Sequence, residues 1–434
     1  MSQVSNPRLQ LRTWRFPALV LLLLIVHLLF PYRGWQILLV GLSGAWLISY
    51  VWARSLARRL QLAREMRFGW VQVGDQMIER FKLVNDSRFA APWVEVTDHS
   101  TLPDYQASRG VNVGGRDSAR WYVEASCTRR GLFTLGPTSL RTGDPFGLYT
   151  VTVDYPATLP LLVLPPVVPL PSIEVMPGGQ MGEGRPRANA PERTVAAATV
   201  REYVPGDARR WIHWRTSARR DSLFVRLFDG APASDLWVVL DMDERVQVGE
   251  GQDATDEHAI ILAASLADRQ LRLRQAVGLA AQGKELVWVA PREGEGQRWE
   301  LLHTLALVSR GSRSLADLLD GMRPMFGRHA SLVIITPSGD THWIEALVPI
   351  MQVGVVPTVL WLDPVSFGGT GGYEVAQALL IDLGVTHYMV TRDLLDRPEA
   401  RPGQEWRWGR PVRGGGLAQP IPRRPAAAWR VLSS

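Results

Sequence analysis

Two apolar runs separated by only four residues open this chain, and they constrain it more than any other feature. Residues 16–30 read FPALVLLLLIVHLLF and residues 35–53 read WQILLVGLSGAWLISYVWA, joined by Pro31-Tyr32-Arg33-Gly34. A helix needs about 20 apolar residues to cross the hydrocarbon core of a bilayer. Each run approaches that length, the first with Trp14 and Tyr32 as interfacial ends, so a transmembrane hairpin over 16–53 is predicted. Arg8, Arg12 and Arg15 precede the pair, and Arg54, Arg58, Arg59, Arg64 and Arg67 follow it, against Arg33 alone in the connection. This asymmetry predicts a short N-terminal tail over 1–15, with both termini and the soluble domains on the cytoplasmic face of the cell inner membrane. A cleaved signal peptide is the rival reading; it is opposed by the lack of a small-residue cleavage site after Phe30 and by the second run. His27 reads as a neutral histidine near an interface rather than as a functional group.

The 434 residues, 46% of them hydrophobic, suffice for two or three domains with real cores. A single cysteine, Cys127, excludes an intramolecular disulfide and a cysteine-based zinc site. The net charge of +6 comes largely from arginines beside the apolar runs and near the C-terminus, so it points to a membrane and not to nucleic acid.

Residues 54–164 alternate short β-rich runs with turn residues (WVQVGD, IERFKLVNDS, PWVEVTDHS, ARWYVEASC, GLFTLGPTSL, GLYTVTVDY), which predicts an all-β, immunoglobulin-like sandwich. Such a domain reads as a rigid spacer or protein-binding module. Within it Asp144-Pro145-Phe146-Gly147 predicts a turn that seats Phe146 in the core. Proline and glycine then dominate 165–195, a linker.

From 231 to 397 apolar strands alternate with helical stretches. Strands are predicted at 236–241, 286–290, 332–336, 357–362 and 387–391, in a mostly parallel sheet covered on both faces. Ligands of such folds sit at the carboxyl ends of the strands. Asp241 and Asp243 end the first strand and Asp340 follows the third. Their oxygens suit magnesium or calcium. The run Asp241-Met242-Asp243-Glu244-Arg245 resembles the Asp-x-Ser-x-Ser motif of von Willebrand factor A domains, with the first ligand kept and both hydroxyls replaced. Arg245 puts a fixed charge where a cation needs oxygen, so no metal is expected. The run from Gly368 to Gly372 lacks the lysine and spacing of a P-loop and reads as a flexible loop. The basic, proline- and glycine-rich 398–434 is predicted to be disordered.

Between these domains lies an arginine-rich box, 196–230, whose centre reads REYVPGDARRWIHWRTSARRDSLFVR. Guanidinium groups stay charged and must find carboxylates, carbonyls or aromatic faces. Pro205-Gly206-Asp207 predicts a turn and 208–220 a helix with Trp211, Trp214, Arg215 and Ala218 on one docked side. Glu202, Asp207 and Asp221 supply internal partners, which disfavours a nucleic-acid site. His213 and Ser217 have no acid to complete a hydrolase triad. No other catalytic constellation is recognisable, so the chain is not expected to be an enzyme, and no cofactor is expected.

The box resembles the signature of the bacterial family catalogued as domain of unknown function fifty-eight. The pattern is met by Arg201, Tyr203, Pro205, Gly206, Asp207, Arg210, Ile212, Trp214, Ser217, Ala218 and Arg219, with Ala208 in place of a second acid. RRGLFTLGPTSLRTGDPFGLYT from Arg129, AVGLAAQG from Ala276 and LLHTLALVS are also similar to members of that family. The resemblance implies a membrane hairpin, an immunoglobulin-like β region and a divergent von Willebrand factor A-like domain. It also implies a MoxR-type AAA+ ATPase and a transglutaminase-like membrane protein as partners, with no established enzyme activity. On this reading the signature residues contact a partner or the joint between domains, which Trp214 and Arg219 would fasten. The expected role is a membrane-anchored, cytoplasm-facing adaptor or scaffold that works with the ATPase in complex assembly. The alternative is a receptor domain that binds a metal or ligand through Asp241 and Asp243.

Overall fold

The backbone becomes a strand before it reaches the first apolar run. A computed structural model describes residues 7–66, 69–170, 173, 175, 199–203, 212–220, 222–227, 235–326, 330–395 and 430–431. It divides into two units, Met1–Pro166 with Arg397–Ser434, and Val167–Asp396.

In the first unit Arg8–Leu11 (β1) is followed by the helices Arg15–Leu29 (α1) and Arg33–Arg59 (α2). The expected N-terminal tail is therefore partly an edge strand. Pro31 ends α1, because the residue before a proline is pushed out of the helical region. At 27 residues α2 is long and apolar enough to cross a membrane; α1, at 15 residues, spans about 22 Å and is shorter than the ~30 Å hydrocarbon core. α2 also runs past the expected boundary at Ala53. Ser49, Ala53 and Leu56 face the β domain and are buried, while Ile37, Leu38, Val40, Leu47 and Ile48 are exposed. Trp46 Nε1 donates to the Tyr149 hydroxyl (2.7 Å), and Trp52 Nε1 donates to the Ala90 carbonyl (2.8 Å).

Without a linker, α2 passes into Leu60–Met66 (β2). The strands Trp70–Gln72 (β3), Gln76–Asn85 (β4), Ala91–Asp98 (β5), Arg109–Val113 (β6), Asp117–Ser126 (β7), Gly131–Leu135 (β8), Thr138–Gly143 (β9), Tyr149–Tyr155 (β10) and Leu159–Leu164 (β11) complete the β domain. They form a five-stranded sheet β1-β10-β9-β5-β6, the trio β2-β4-β7, and a small sheet β3-β11-β8. Period-two alternation on β4 turns Met77, Glu79, Phe81, Leu83 and Asn85 inward. Phe81 stacks on Trp121 at 5.4 Å. Glu79 would be an uncompensated charge there, but Arg64 of β2 meets it twice, once with Nη2 2.9 Å from Oε2, and reaches Asp98 Oδ1 at 2.7 Å. The Tyr105 hydroxyl donates to the same Glu79 carboxylate.

The second unit begins inside the expected linker. The Val168 amide donates to Ser265 Oγ (2.9 Å), and Ile173 is buried. Most of 165–195 lies outside the described residues. Thr199–Glu202 (β12) pairs antiparallel with Phe224–Leu227 (β13) around the helix Trp214–Arg220 (α3). The α/β sheet follows: Leu236–Leu240 (β14), Thr255–Arg272 (α4), Val277–Gln282 (β15), Leu286–Arg292 (β16), Glu295–Leu307 (α5), Leu315–Met322 (α6), Ser331–Thr336 (β17), His342–Gln352 (α7), Val356–Leu362 (β18), Glu374–Asp382 (α8) and Thr386–Val390 (β19). Its order is β16-β15-β14-β17-β18-β19, parallel throughout except for the antiparallel edge β16.

β15 is absent from the sequence-predicted strands, and the reason is steric. A Cβ on Gly278 would lie 2.9 Å from the Trp237 ring and from Pro291, so this strand is built from small residues of low β-propensity. The 286–290 strand is real but pairs antiparallel with β15. Two amides of the Gly368–Gly372 run are engaged within the preceding turn: Gly368 N–H donates to Val365 O (3.0 Å) and Gly369 N–H to Pro364 O (2.8 Å). In the basic tail, Arg430–Val431 (β20) pairs antiparallel with β2; the rest of 398–434 lies outside the described residues.

Candidate functional site

The strand order reverses between β14 and β17, the topological switch point at which sheets of this kind form a crevice at their carboxyl ends. Asp241 follows β14 directly and is 2% exposed. Its Oδ2 accepts the Thr336 hydroxyl (2.6 Å) and its Oδ1 the Asp243 amide (3.2 Å). Thr336 Oγ1 in turn accepts the Ser338 N–H (2.9 Å), so the end of β17 is tied to the end of β14. Burial pushes the Asp241 carboxyl up to about 6, against the hydrogen bonds from Thr336 and Asp243 that favour its charged form.

Asp243 is also buried, which opposes its charge, yet Arg245 outweighs burial and holds it below the ordinary carboxylate value. The Arg245 guanidinium meets both oxygens, with Nε 2.9 Å from Oδ1 and Nη2 2.6 Å from Oδ2, and its own amide donates to Oδ1 (3.1 Å). The Arg245 side chain is nevertheless 64% exposed. The crevice therefore presents a cation outward over a buried carboxyl pair. Such a surface suits a partner's carboxylate. For a divalent ion the donor set is reduced, because both Asp243 oxygens are already engaged.

The Asp243 loop is pinned from the side. Glu244 N–H donates to Gly311 O (2.8 Å) and Gly311 N–H to Met242 O (2.9 Å). A Cβ on Gly311 would overlap the Gly283 carbonyl, so both glycines are required for the approach. Gly283 closes the AVGLAAQG segment, which thereby supports the crevice. Asp340 does not enter it; this exposed residue accepts the His342 amide at 3.3 Å.

In the arginine-rich box, Arg201 lies in β12 opposite Val225, and the Tyr203 amide donates to Leu223 O (2.7 Å). Pro205, Gly206, Asp207 and Arg210 lie outside the described residues. The described helix runs over Trp214–Arg220, with Ile212 and His213 outside it; residues 208–211, where the expected helix would begin, lie outside the described residues. Its buried point is Ser217, whose Oγ donates to the His213 carbonyl (3.1 Å) and accepts the Phe224 amide (2.9 Å). His213 Nδ1 accepts the Thr216 N–H (3.2 Å), as an N-cap does. His213 and Ser217 are thus linked through a backbone carbonyl and not through the ring. Trp214 (67% exposed), Arg215 and Ala218 are all exposed and Trp211 lies outside the described residues, so the described part of the expected docked side is not buried; Arg219, the other expected fastening residue, is exposed as well.

Residues 199–357, which run from β12 through the crevice to the start of β18, match the family model described as protein of unknown function DUF58. This stretch of the chain is a DUF58 region. The chain is 26% identical over 317 residues to the uncharacterized protein YeaD of Bacillus subtilis, covering 67% of this chain and 74% of YeaD. It is 28% identical over 170 residues to the uncharacterized protein Rv1480 of Mycobacterium tuberculosis, covering 38% of this chain and about half (54%) of that relative. Among solved structures it is similar to an aerotolerance-related membrane protein from Bacteroides fragilis, with 16% identity, a TM-score of 0.27, and coverage of 36% of this chain and 91% of that one.

Of the family signature, Arg201 lies on β12 and Trp214, Ser217, Ala218 and Arg219 lie on α3, whereas Asp241, Asp243, Arg245 and Thr336 are residues the signature does not contain. Thr336 and Ser338 were not singled out from sequence. The available signal was a hydroxyl-rich Thr-Pro-Ser-Gly-Asp turn directly after a buried strand, at the end where α/β sheets bind ligands.

Proposed function

We propose that this protein is a membrane-tethered adaptor whose α/β domain, a divergent von Willebrand factor A-like fold, offers the Arg245 crevice and the exposed Trp214 and Arg219 to an acidic partner surface. The observation that carries the reading is the Arg245–Asp243 pair. It puts an exposed cation at the switch point of the sheet, the position where such folds bind ligands. The partner is a MoxR-type AAA+ ATPase, with a transglutaminase-like membrane protein as a further member. The apolar α2 supports anchoring, and the arginine bias around the hairpin supports an inner-membrane location with both soluble units in the cytoplasm. Tethering raises the effective concentration of each later contact with the same complex, so a modest surface suffices.

Co-purification of the ATPase with the full chain from native membranes tests the reading. Arg245→Ala combined with Arg219→Ala is expected to abolish recovery of the ATPase; recovery undiminished by both changes would remove these residues from the role.

The alternative, a metal- or ligand-binding receptor domain, is supported by the convergence of Asp241, Asp243, Thr336 and Ser338 on one crevice. Arg245 opposes it by neutralising Asp243.

A further inference from the structure

The Asp144–Gly147 turn departs from its expected role. Phe146 does not enter the core; it is 62% exposed. The turn around it is nevertheless firmly built. Asp144 is buried, and its carboxylate accepts the amides of Phe146 (3.0 Å) and Tyr149 (2.6 Å). Gly147 has φ of 70°, a left-handed conformation that favours glycine. A held turn that projects an aromatic ring outward needs an occupant for that ring.

Topology says which end of the β domain this is. The turn joins β9 to β10, and β1 pairs with β10 so that Leu11 lies opposite Tyr149. The Arg12 amide donates to Leu148 O (2.8 Å), and α1 departs three residues later. Trp46 of α2 meets Tyr149 at the same end. Trp14 is 76% exposed between β1 and α1, and the Trp93 ring lies against Gly143 at the foot of the turn. Exposed Arg12 and Arg15 flank it. The apolar surface of the hairpin is thus continuous with an aromatic and basic rim on the β domain. A 15-residue α1, shorter than the hydrocarbon core, also requires that rim to lie close to the bilayer.

We infer that the Asp144–Gly147 turn is a lipid-contacting loop that seats Phe146 in the headgroup boundary of an anionic bilayer beside Trp14 and Trp93. Aromatic rings favour that depth, and arginines favour anionic headgroups. The inference rests on the membrane reading of the hairpin.

Variants of the full chain that each add one cysteine, Phe146→Cys, Leu24→Cys and Gln106→Cys, test it. Native Cys127 is buried and stays unlabelled. Each variant is labelled with a nitrobenzoxadiazole fluorophore and reconstituted into phosphatidylcholine–phosphatidylglycerol vesicles that carry a nitroxide high on the acyl chain. Labels at 146 and 24 are expected to lose about half their emission or more, as groups seated within roughly 5–10 Å of the boundary do, while the label at 106 keeps its emission. Gln106 follows Asp98, which pairs with Thr138 at the other end of β9. Quenching at 24 with 146 as unaffected as 106 overturns the lipid contact and leaves the membrane reading standing. Quenching at neither 24 nor 146 overturns both.

Discussion

The Arg245 guanidinium clasps the Asp243 carboxylate from two points, Nε at 2.9 Å and Nη2 at 2.6 Å, directly above the buried Asp241. An internal cation therefore occupies the oxygens that a divalent ion would need. Arg245→Ser is expected to free Asp243 beside Asp241 and Thr336 and to tighten magnesium or manganese binding about tenfold or more, roughly 1.4 kcal/mol. Calorimetric titration of the purified chain reads this directly. Adding Asp241→Asn should erase the gain, and identical heats before and after Arg245→Ser would show that the clasp is not what limits the site.

Asp241 makes stability depend on pH in an uncommon direction for an aspartate. Its folded value, about 6, lies above the ordinary 3.8, so between these values the folded chain holds more protons than the unfolded one. Its contribution to stability therefore falls as pH rises from about 4 to 6 and stays low above that window. Asp241→Asn is expected to be more stable than the unaltered chain at pH 7.5, by up to about 3 kcal/mol, with the gap closing towards pH 4. Urea unfolding across that range measures the gap, and a pH-independent difference would contradict the assignment.

The Arg64–Glu79 pair is buried in the β domain, where removing one partner leaves the other uncompensated. Arg64→Ala should cost about 3–5 kcal/mol in thermal or urea unfolding. Because Arg64 also meets Asp98, whose side chain is buried, replacing all three, Arg64→Met with Glu79→Leu and Asp98→Asn, should recover most of that loss. A triple variant as unstable as the single one would mean that geometry, and not charge, is what the pair supplies.

Ser217 and Trp214 separate structure from surface within the family signature. Ser217→Ala removes a side-chain bridge from α3 to β13 and is expected to cost about 1–2 kcal/mol. Trp214→Ala, at an exposed position, should change stability by less than about 0.5 kcal/mol. A large loss at Trp214 would restore it as a fastening residue.

The strands β14, β17 and β18 were legible because they are buried on both faces, and such strands read as unbroken apolar runs. The β domain was legible from alternation and turn spacing. β15 was not, since Trp237 and Pro291 leave no room for a Cβ at Gly278, and with Ala280 and Ala281 that glycine weakens the β signal. The pairing of Arg64 with Glu79 was equally hidden: the two residues are 15 apart and meet only because β2 and β4 pair in one register.

Residue type and order alone determined the apolar hairpin, the sequence of β and α/β regions, the arginine-rich signature and the warning that Arg245 stands where a cation would need oxygen. These are local properties of periodicity, charge and motif. Tertiary structure decided what each charged or aromatic side chain meets. It joined Thr336 to Asp241 across 95 residues. It turned Phe146 outward at the end of the β domain where the hairpin leaves, and it left Trp214 in the open. The physical reason is that a side chain's partners are fixed by strand register and sheet order, and those follow from how distant apolar faces are buried together.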